Sequence, residues 1–148
     1  MPLLGFKARF VPNIERGLTS AYSDQDGVHP KRQTIRRGTL SRDRKQMFGK
    51  SAKVRVRVSD KLILATGERT KHYRKIGEAR CVSLKPVVIW INEHALYVHL
   101  DGNPLFPGEI AELARNDGFK DWQDMWSFFR KEHGDAKFEG VLIEWKPL

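Results

Sequence analysis

The sequence of 148 residues contains a single cysteine and no long apolar run. One cysteine cannot form an internal disulfide, which favours a reducing, cytoplasmic setting, and we expect Cys81 to be a buried structural thiol because it lies in an alternating apolar run. Nowhere do about 18 apolar residues follow one another, so the sequence predicts no transmembrane helix. The apolar run within residues 1–10 is also too short for a signal peptide, and we expect no membrane association.

Motifs of several enzyme classes are missing as well. None of the five histidines stands in the i, i+4 pairing with a glutamate that is typical of zinc hydrolases, so we predict no metal site. Thr66-Gly67 has no following lysine-serine pair, and no other glycine-rich stretch has the spacing of a phosphate-binding loop, which disfavours a nucleotide triphosphatase. No serine lies in a nucleophile elbow. The sequence therefore predicts no cofactor.

Positive charge is concentrated in the first half of the chain. The net charge is +9; residues 1–75 hold 19 Lys and Arg against 6 Asp and Glu, whereas residues 76–148 hold 8 against 12. Such a one-sided distribution attracts polyanions, and nucleic acid is the commonest soluble polyanion in a cytoplasm. An anionic membrane surface usually requires an amphipathic basic helix, a pattern that the basic half does not contain. The charge therefore favours a nucleic-acid partner, whereas the oligomeric state stays open.

The apolar pattern predicts an α+β fold in one domain, residues 1–148. Alternating runs bounded by turn residues predict strands at Leu3–Phe6, Gln33–Arg37, Val54–Val58, Lys61–Ala65, Glu78–Ile91, Ala95–Leu100 and Phe138–Trp145. Because proline cannot donate to a central ladder, the run at 78–91 is either one strand or two that meet at Pro86. We expect a mixed β-barrel of short, mostly antiparallel strands, flanked by about three helices and carrying a basic loop or arm.

Three stretches have helical periodicity: 10–17, 107–117 and 121–133. Gly17 is expected to end the first helix in a left-handed conformation, and Asp121 to cap the third. In the third helix, apolar side chains recur at i, i+3, i+4 and i+7. These are Trp122, Met125, Trp126 and Phe129. We interpret this stripe as core rather than as a cofactor-binding surface, because any amphipathic helix shows the same spacing.

Between Arg36 and Arg57 nine residues are basic and only Asp43 is acidic. The first part of this stretch shows no hydrophobic periodicity, so residues 38–53 are predicted to be a flexible basic insertion within the domain. In the second part, Val54, Val56 and Val58 alternate with Arg55 and Arg57, so a strand here would bury the valines and expose both arginines. These arginines form either a binding surface or the charged edge that protects many sheets from aggregation.

The segment from Lys31 to Arg37 combines a lysine, a threonine hydroxyl and arginines in a short extended stretch. These side chains offer the mobile ammonium of a lysine, the bidentate guanidinium groups of arginines and a hydroxyl, which are the groups that bind phosphates and the edges of bases. A solvated basic strand has the same composition, and from the seven residues alone that interpretation is favoured.

Several separated pieces of the chain resemble the ASCH domains of the PUA-like superfamily, small β-barrels flanked by helices. The pieces are Leu4–Lys7 with Phe10–Gly17, Lys31–Arg36, Asp60–Lys71, Ile76–Ala79, Ala114–Phe119 with Trp122, and Phe138–Gly140. In order and spacing they cover roughly two thirds of the chain, and they look most similar to stand-alone ASCH proteins often found in phages and prophages. The loop at 18–30 and the basic stretch have no clear counterpart in the family.

The resemblance implies a fold and a site. Members of this family are thought to bind RNA or modified nucleosides in a cleft on the barrel, and the segment that lines it matches Lys31, Thr34 and Arg36. Some small members remove the acetyl group of N4-acetylcytidine with a lysine, a threonine and a glutamate, and relatives that act as RNA nucleases are reported. Lys31 and Thr34 match the first two residues, whereas the glutamate falls at Asp117, whose shorter side chain would have to reach the proton it moves.

The residues and the resemblance together support two candidate functions for the protein. The first is a nucleic-acid-binding module, for RNA rather than DNA, whose phosphate contacts are Arg36, Arg37, Arg55, Arg57, Arg69 and Lys71. Tyr73 would stack on a base in this module, although a lone tyrosine in a loop is more often half-packed surface. The second is an enzyme with Lys31, Thr34 and Asp117 as catalytic residues, acting as an amidohydrolase on a modified nucleoside or as a nuclease.

Overall fold

The structure is a computed structural model that describes residues 1–19, 27–49 and 55–148. These residues form a mixed α+β fold in which a curled sheet makes a half-barrel and three helices pack against it. The strands are β1 (Leu3–Phe6), β2 (Gln33–Leu40), β3 (Gln46–Gly49), β4 (Arg55–Arg57), β5 (Lys61–Thr66), β6 (Arg74–Ile91), β7 (Leu96–Leu100), β8 (Asn103–Pro104) and β9 (Lys137–Pro147). The helices are α1 (Val11–Leu18), α2 (Pro107–Asn116) and α3 (Trp122–His133).

The sheet runs in the order β1-β5-β6-β9-β2-β3-β4, with β7 and β8 attached to β6. Only β1 and β5 pair in parallel; the other pairs of the described strands are antiparallel, as the sequence predicts. Strand β6 continues through Pro86, which settles that the run at 78–91 is one strand. The curled sheet is compatible with a partial barrel.

The three predicted helices are confirmed. Asp121 caps α3 by accepting a hydrogen bond of 2.8 Å from the backbone N–H of Asp124, and Gly134 ends the helix at a φ of 76°. In its apolar stripe Met125 and Phe129 are buried, so the interpretation as core is confirmed. Among the described residues, no helix is long and apolar enough to cross a membrane.

Cys81 is a buried structural thiol, as its apolar run indicated. Its side chain is 1% exposed and belongs to the core of β6. Burial raises the pKa of the thiol from 9.0 to about 12, so the nucleophilic thiolate is absent at neutral pH.

The stretch at 38–53 differs from the predicted loop or arm. Strand β2 continues to Leu40 and pairs with β3, which in turn pairs with β4, so residues 38–49 form a hairpin. Leu40, Met47 and Val56 lie side by side across the three strands, and Met47 and Val56 are buried. The charged turn between the strands hides this short apolar pattern in the sequence. Residues 50–53, and Val54 of the predicted strand, lie outside the described residues.

Gly17 does not end α1 in a left-handed conformation, because the helix continues to Leu18. Its role is close approach: a Cβ at this position would lie 2.3 Å from the carbonyl oxygen of Lys31. The backbone of Lys31 is held from the same helix, since its N–H donates to the carbonyl of Asn13 at 2.9 Å. Helix α1 therefore sets the position at which the chain enters β2.

The substitution Gly17→Ala should lower the free energy of unfolding by about 1 to 3 kcal/mol, because the methyl group overpacks the contact with Lys31. Helix propensity alone predicts the opposite sign, a gain of about 1 kcal/mol. Gly108→Ala is the matched control, since a Cβ at that position of α2 meets nothing within 4 Å and should stabilise slightly. Urea unfolding of the two variants compares them, and a stabilised Gly17→Ala protein would contradict the close approach.

Candidate functional site

A cavity of about 240 Å³ lies where the end of β1, the start of β2 and the helices α2 and α3 meet. Six phenylalanines line its apolar part: Phe6, Phe10, Phe119, Phe128, Phe129 and Phe138. Its polar lining comes from Lys7, Lys31, Thr34, Arg36, Arg37, Asp117, Glu132 and His133. We call it the central cavity. It brings the three predicted catalytic residues to one concave surface, although their role there stays a prediction.

Lys31 and Asp117 form a buried ion pair in this cavity. The Nζ of Lys31 lies 3.4 Å from Oδ1 of Asp117, and it donates a hydrogen bond of 2.5 Å to the backbone carbonyl of the same residue. Their side chains are 2% and 6% exposed. Asp117 is the residue that follows α2, so the ammonium also lies at the negative end of that helix. The shorter carboxylate of Asp117 thus reaches the lysine.

Burial shifts both groups of the pair toward their neutral forms. Desolvation lowers the pKa of Lys31 from its ordinary 10.5 to about 8; Asp117 partly offsets this shift, and nearby Arg36 adds to it. Desolvation likewise raises the pKa of Asp117, against the attraction of Lys31. An amine with a pKa near 8 can bind a ligand as a cation at neutral pH and can also give up its proton with little cost.

Thr34 is oriented by Arg36. The Nε of Arg36 donates to the hydroxyl of Thr34 at 3.1 Å, which leaves the hydroxyl proton of Thr34 available for a ligand. The Nη2 of Arg36 donates to the carbonyl of Gly5 at 2.5 Å, and its guanidinium lies 4.8 Å from the centre of the Phe6 ring. Arg36 was predicted to contact phosphate. Because two of its donors bind the protein, the geometry favours a positioning role for this residue.

Arg37 lies at the mouth of the cavity. Its guanidinium lies 5.2 Å from the centre of the Phe138 ring, and its Nη2 is 3.4 Å from Nδ1 of His133. Burial and the charge of Arg37 lower the pKa of His133, which keeps its ring neutral and able to accept at Nδ1. Sequence reasoning missed His133 and the neighbouring Phe128 and Glu132. Phe128 and Glu132 are four residues apart and therefore lie on one face of α3. This spacing could have identified the part of the cavity lining that α3 contributes.

Two further concavities lie beside the central cavity. The first, of about 370 Å³, shares Gly5, Arg36 and Arg37 with it and reaches Arg69. The second, of about 600 Å³, shares Arg69 with the first and reaches Arg55 and Arg57. Val56 between these two arginines is buried while both arginines are exposed, so the predicted alternation of this strand is confirmed.

Four arginines line these two concavities, and we call them the first basic arm: Arg37, Arg69, Arg55 and Arg57. The carboxylates of Glu68 and Asp60 line the same concavities and reduce their net positive charge. Lys71 and Tyr73, both exposed, lie on the turn between β5 and β6 and are missing among the described residues that line these concavities. Their predicted contacts stay predictions.

Within residues 1–19, 27–49 and 55–148, no group of three or more His, Cys, Asp and Glu side chains lies close enough together to hold a metal ion. Comparison of the chain with protein-family models, curated proteins and solved structures finds no match, so the resemblance to ASCH domains depends on the sequence pieces given above.

Proposed function

We propose that this chain is a nucleic-acid-binding module of the PUA-like, ASCH type, which binds RNA and accepts one base or nucleotide in the central cavity. One observation carries the proposal: a partly buried cavity with Lys31, Thr34 and Asp117 at its floor opens onto a surface lined by four exposed or rim arginines. The half-barrel with three helices supports the fold part of the proposal, because it is compatible with a partial barrel.

The cavity offers what a nucleobase needs. Phenylalanine rings supply apolar contact for the faces of a base, and aromatic contacts of this kind are tolerant of base identity. Lys31 and the hydroxyl of Thr34 supply polar donors for its edge, and both are held in place by neighbouring groups. Outside the cavity, the guanidinium groups of the first basic arm can each donate two hydrogen bonds to the oxygens of a phosphate group.

RNA is the expected ligand because the chain combines a concave base site with a basic surface beside it. Single-stranded RNA presents unstacked bases that can enter such a site, whereas a DNA duplex keeps its bases paired. The cytoplasmic location predicted from the single cysteine is consistent with an RNA partner and stays a prediction.

Fluorescence anisotropy with a labelled single-stranded RNA of about twelve nucleotides tests the proposal, since single-strand sites span roughly 4 to 16 nucleotides. We expect affinity to fall steeply between about 50 and 200 mM salt because arginine–phosphate contacts release counterions. Lys31→Met should weaken binding at every salt concentration, whereas Lys137→Ala, a charge change on the other face of β9, should not. Binding that is absent, or unchanged by salt, would contradict the proposal.

A second candidate function is amide hydrolysis of an N4-acetylcytidine-like nucleoside. The lowered pKa of Lys31 and its ion pair with Asp117 favour it, because a neutral amine can take the proton that an attacking hydroxyl or water gives up. The reaction adds one water across the amide and releases acetate and cytidine. Incubation with N4-acetylcytidine, followed by chromatography, should yield cytidine with the wild-type protein and none with Thr34→Val. Shortened RNA in a parallel reaction would instead indicate a nuclease.

A further inference from the structure

A fourth concavity, of about 580 Å³, adjoins the central cavity through a different wall. Phe119 lines both, so the two spaces meet at this ring. The fourth concavity lies between α1 and the loop that joins α2 to α3, and Arg9, Arg115 and Lys120 contribute its positive charge. The one carboxylate among the described residues that line it belongs to Asp124. We call Arg9, Arg115 and Lys120 the second basic arm.

The wall between the two spaces is thin because residue 118 is a glycine. Gly118 has a φ of +95°, and a Cβ there would lie 3.0 Å from Cδ of Lys31 and 3.0 Å from Cδ1 of Phe10. The Lys31 side chain, which forms the floor of the central cavity, therefore packs directly against the loop that lines the second basic arm. A larger residue at 118 would push the loop away from the cavity.

Arg9 stands at the junction of the two spaces. Its guanidinium lies 5.3 Å from the centre of the Phe119 ring and 5.0 Å from that of Phe10, and it forms an ion pair of 2.5 Å with Asp124. A cation fixed on aromatic faces is preorganised, since little side-chain freedom remains to be lost when an anion binds. Lys120 and Arg115 are exposed further along the same surface.

We infer that a single RNA strand passes through the site, with the base of an internal nucleotide in the central cavity and the backbone continuing along both basic arms. The inference depends on the proposed function and adds to it the class of substrate: an internal nucleotide of a single-stranded polymer, not a free nucleoside or a chain end. A free nucleoside in the cavity would use none of the six basic side chains of the two arms that lie outside the cavity lining, namely Arg55, Arg57, Arg69, Arg9, Arg115 and Lys120. A strand with a base inserted in the cavity needs backbone contacts on each side of it.

A duplex is disfavoured by the same geometry. A base enters a cavity only when it leaves its stack and its pairing, and this cost is smallest in a strand that is already single. The substrate therefore has to be unpaired at the inserted nucleotide.

Two matched variants test the inference, one on each arm: Arg69→Ala and Lys120→Ala. Neither residue lines the central cavity, and the hydrogen bond from Lys120 to Asp124 comes from the backbone N–H, which Lys120→Ala keeps. With the single-stranded RNA of about twelve nucleotides we expect each variant to weaken binding about fivefold and to reduce the slope of log affinity against log salt by about 0.7. The double variant should show both losses together. Cytidine, which has no phosphate, should bind all the variants as it binds the wild type.

Controls and contrary outcomes separate this inference from the proposed function. Lys137→Ala removes a lysine on the other face of β9, because Phe138 beside it lines the cavity and side chains alternate along a strand. If Lys120→Ala binds the long RNA like the wild type while Arg69→Ala is weakened, the strand uses one arm and the inference is wrong. A perfectly paired duplex bound as tightly as the single strand would also overturn it. Failure of both RNA and cytidine to bind would overturn the proposed function itself.

Discussion

Lys31→Met should lower the free energy of unfolding by about 3 to 5 kcal/mol, the usual cost of removing one partner from a buried ion pair. The substitution keeps the length of the side chain, but it removes the ammonium that lies over the rings of Phe6 and Phe10 and leaves the carboxylate of Asp117 buried without its cation. Asp117 must then either stay charged in an apolar setting or take up a proton. Both states are costly at neutral pH.

The double variant Lys31→Met/Asp117→Asn should recover most of the lost stability, because neither charge then remains in the cavity. Chemical unfolding followed by circular dichroism gives the three free energies, and the double-mutant cycle isolates the coupling between the residues. The same double variant should still bind RNA more weakly than the wild type, which separates the fold from the function. Additive losses in the double variant would mean that the pair is not coupled, contrary to the distance of 3.4 Å.

The regular elements were predictable because their apolar residues recur with the period of a strand or a helix. The third helix shows this most clearly: the spacing of Met125 and Phe129 predicts burial, and both are buried. The β2–β3 hairpin was not predictable, since Met47 and Phe48 form an apolar run of only two residues after the charged residues 42–45, and the partners of Met47, Leu40 and Val56, lie on other strands. A pattern confined to one or two residues per strand has no visible period.

The site was predictable only through the resemblance. Lys31 and Asp117 are 86 residues apart in sequence, and no local pattern joins them. The role of Arg36 could not be predicted either. The sequence shows that this residue is charged, but it does not show the hydroxyl and carbonyl oxygens to which its side chain donates in the fold. The second basic arm was missed for a related reason: Arg9 is more than 100 residues away in sequence from Arg115 and Lys120, and it lies beside them only after folding.

The stability that Lys31 contributes should rise with pH between about 8 and 10.5. In the folded chain burial lowers the pKa of Lys31 to about 8, whereas the unfolded chain keeps the ordinary 10.5. Within this window the unfolded state binds a proton that the folded state does not, so the free energy of unfolding increases as pH rises. A difference of this size corresponds to about 3 kcal/mol across the window. Below pH 8 the lysine is charged in both states and contributes no slope.

RNA affinity should change in the opposite direction, because the cation that contacts the ligand is lost as Lys31 deprotonates. Unfolding measured at several pH values in the wild type and in Lys31→Met isolates the effect, since the two proteins differ only at this side chain. NMR of the lysine side chains, with Lys31 assigned from the variant, follows its titration directly. A Lys31 resonance that titrates near 10.5 would show that the amine is solvated, and it would remove both the stability slope and the proposed loss of binding above pH 8.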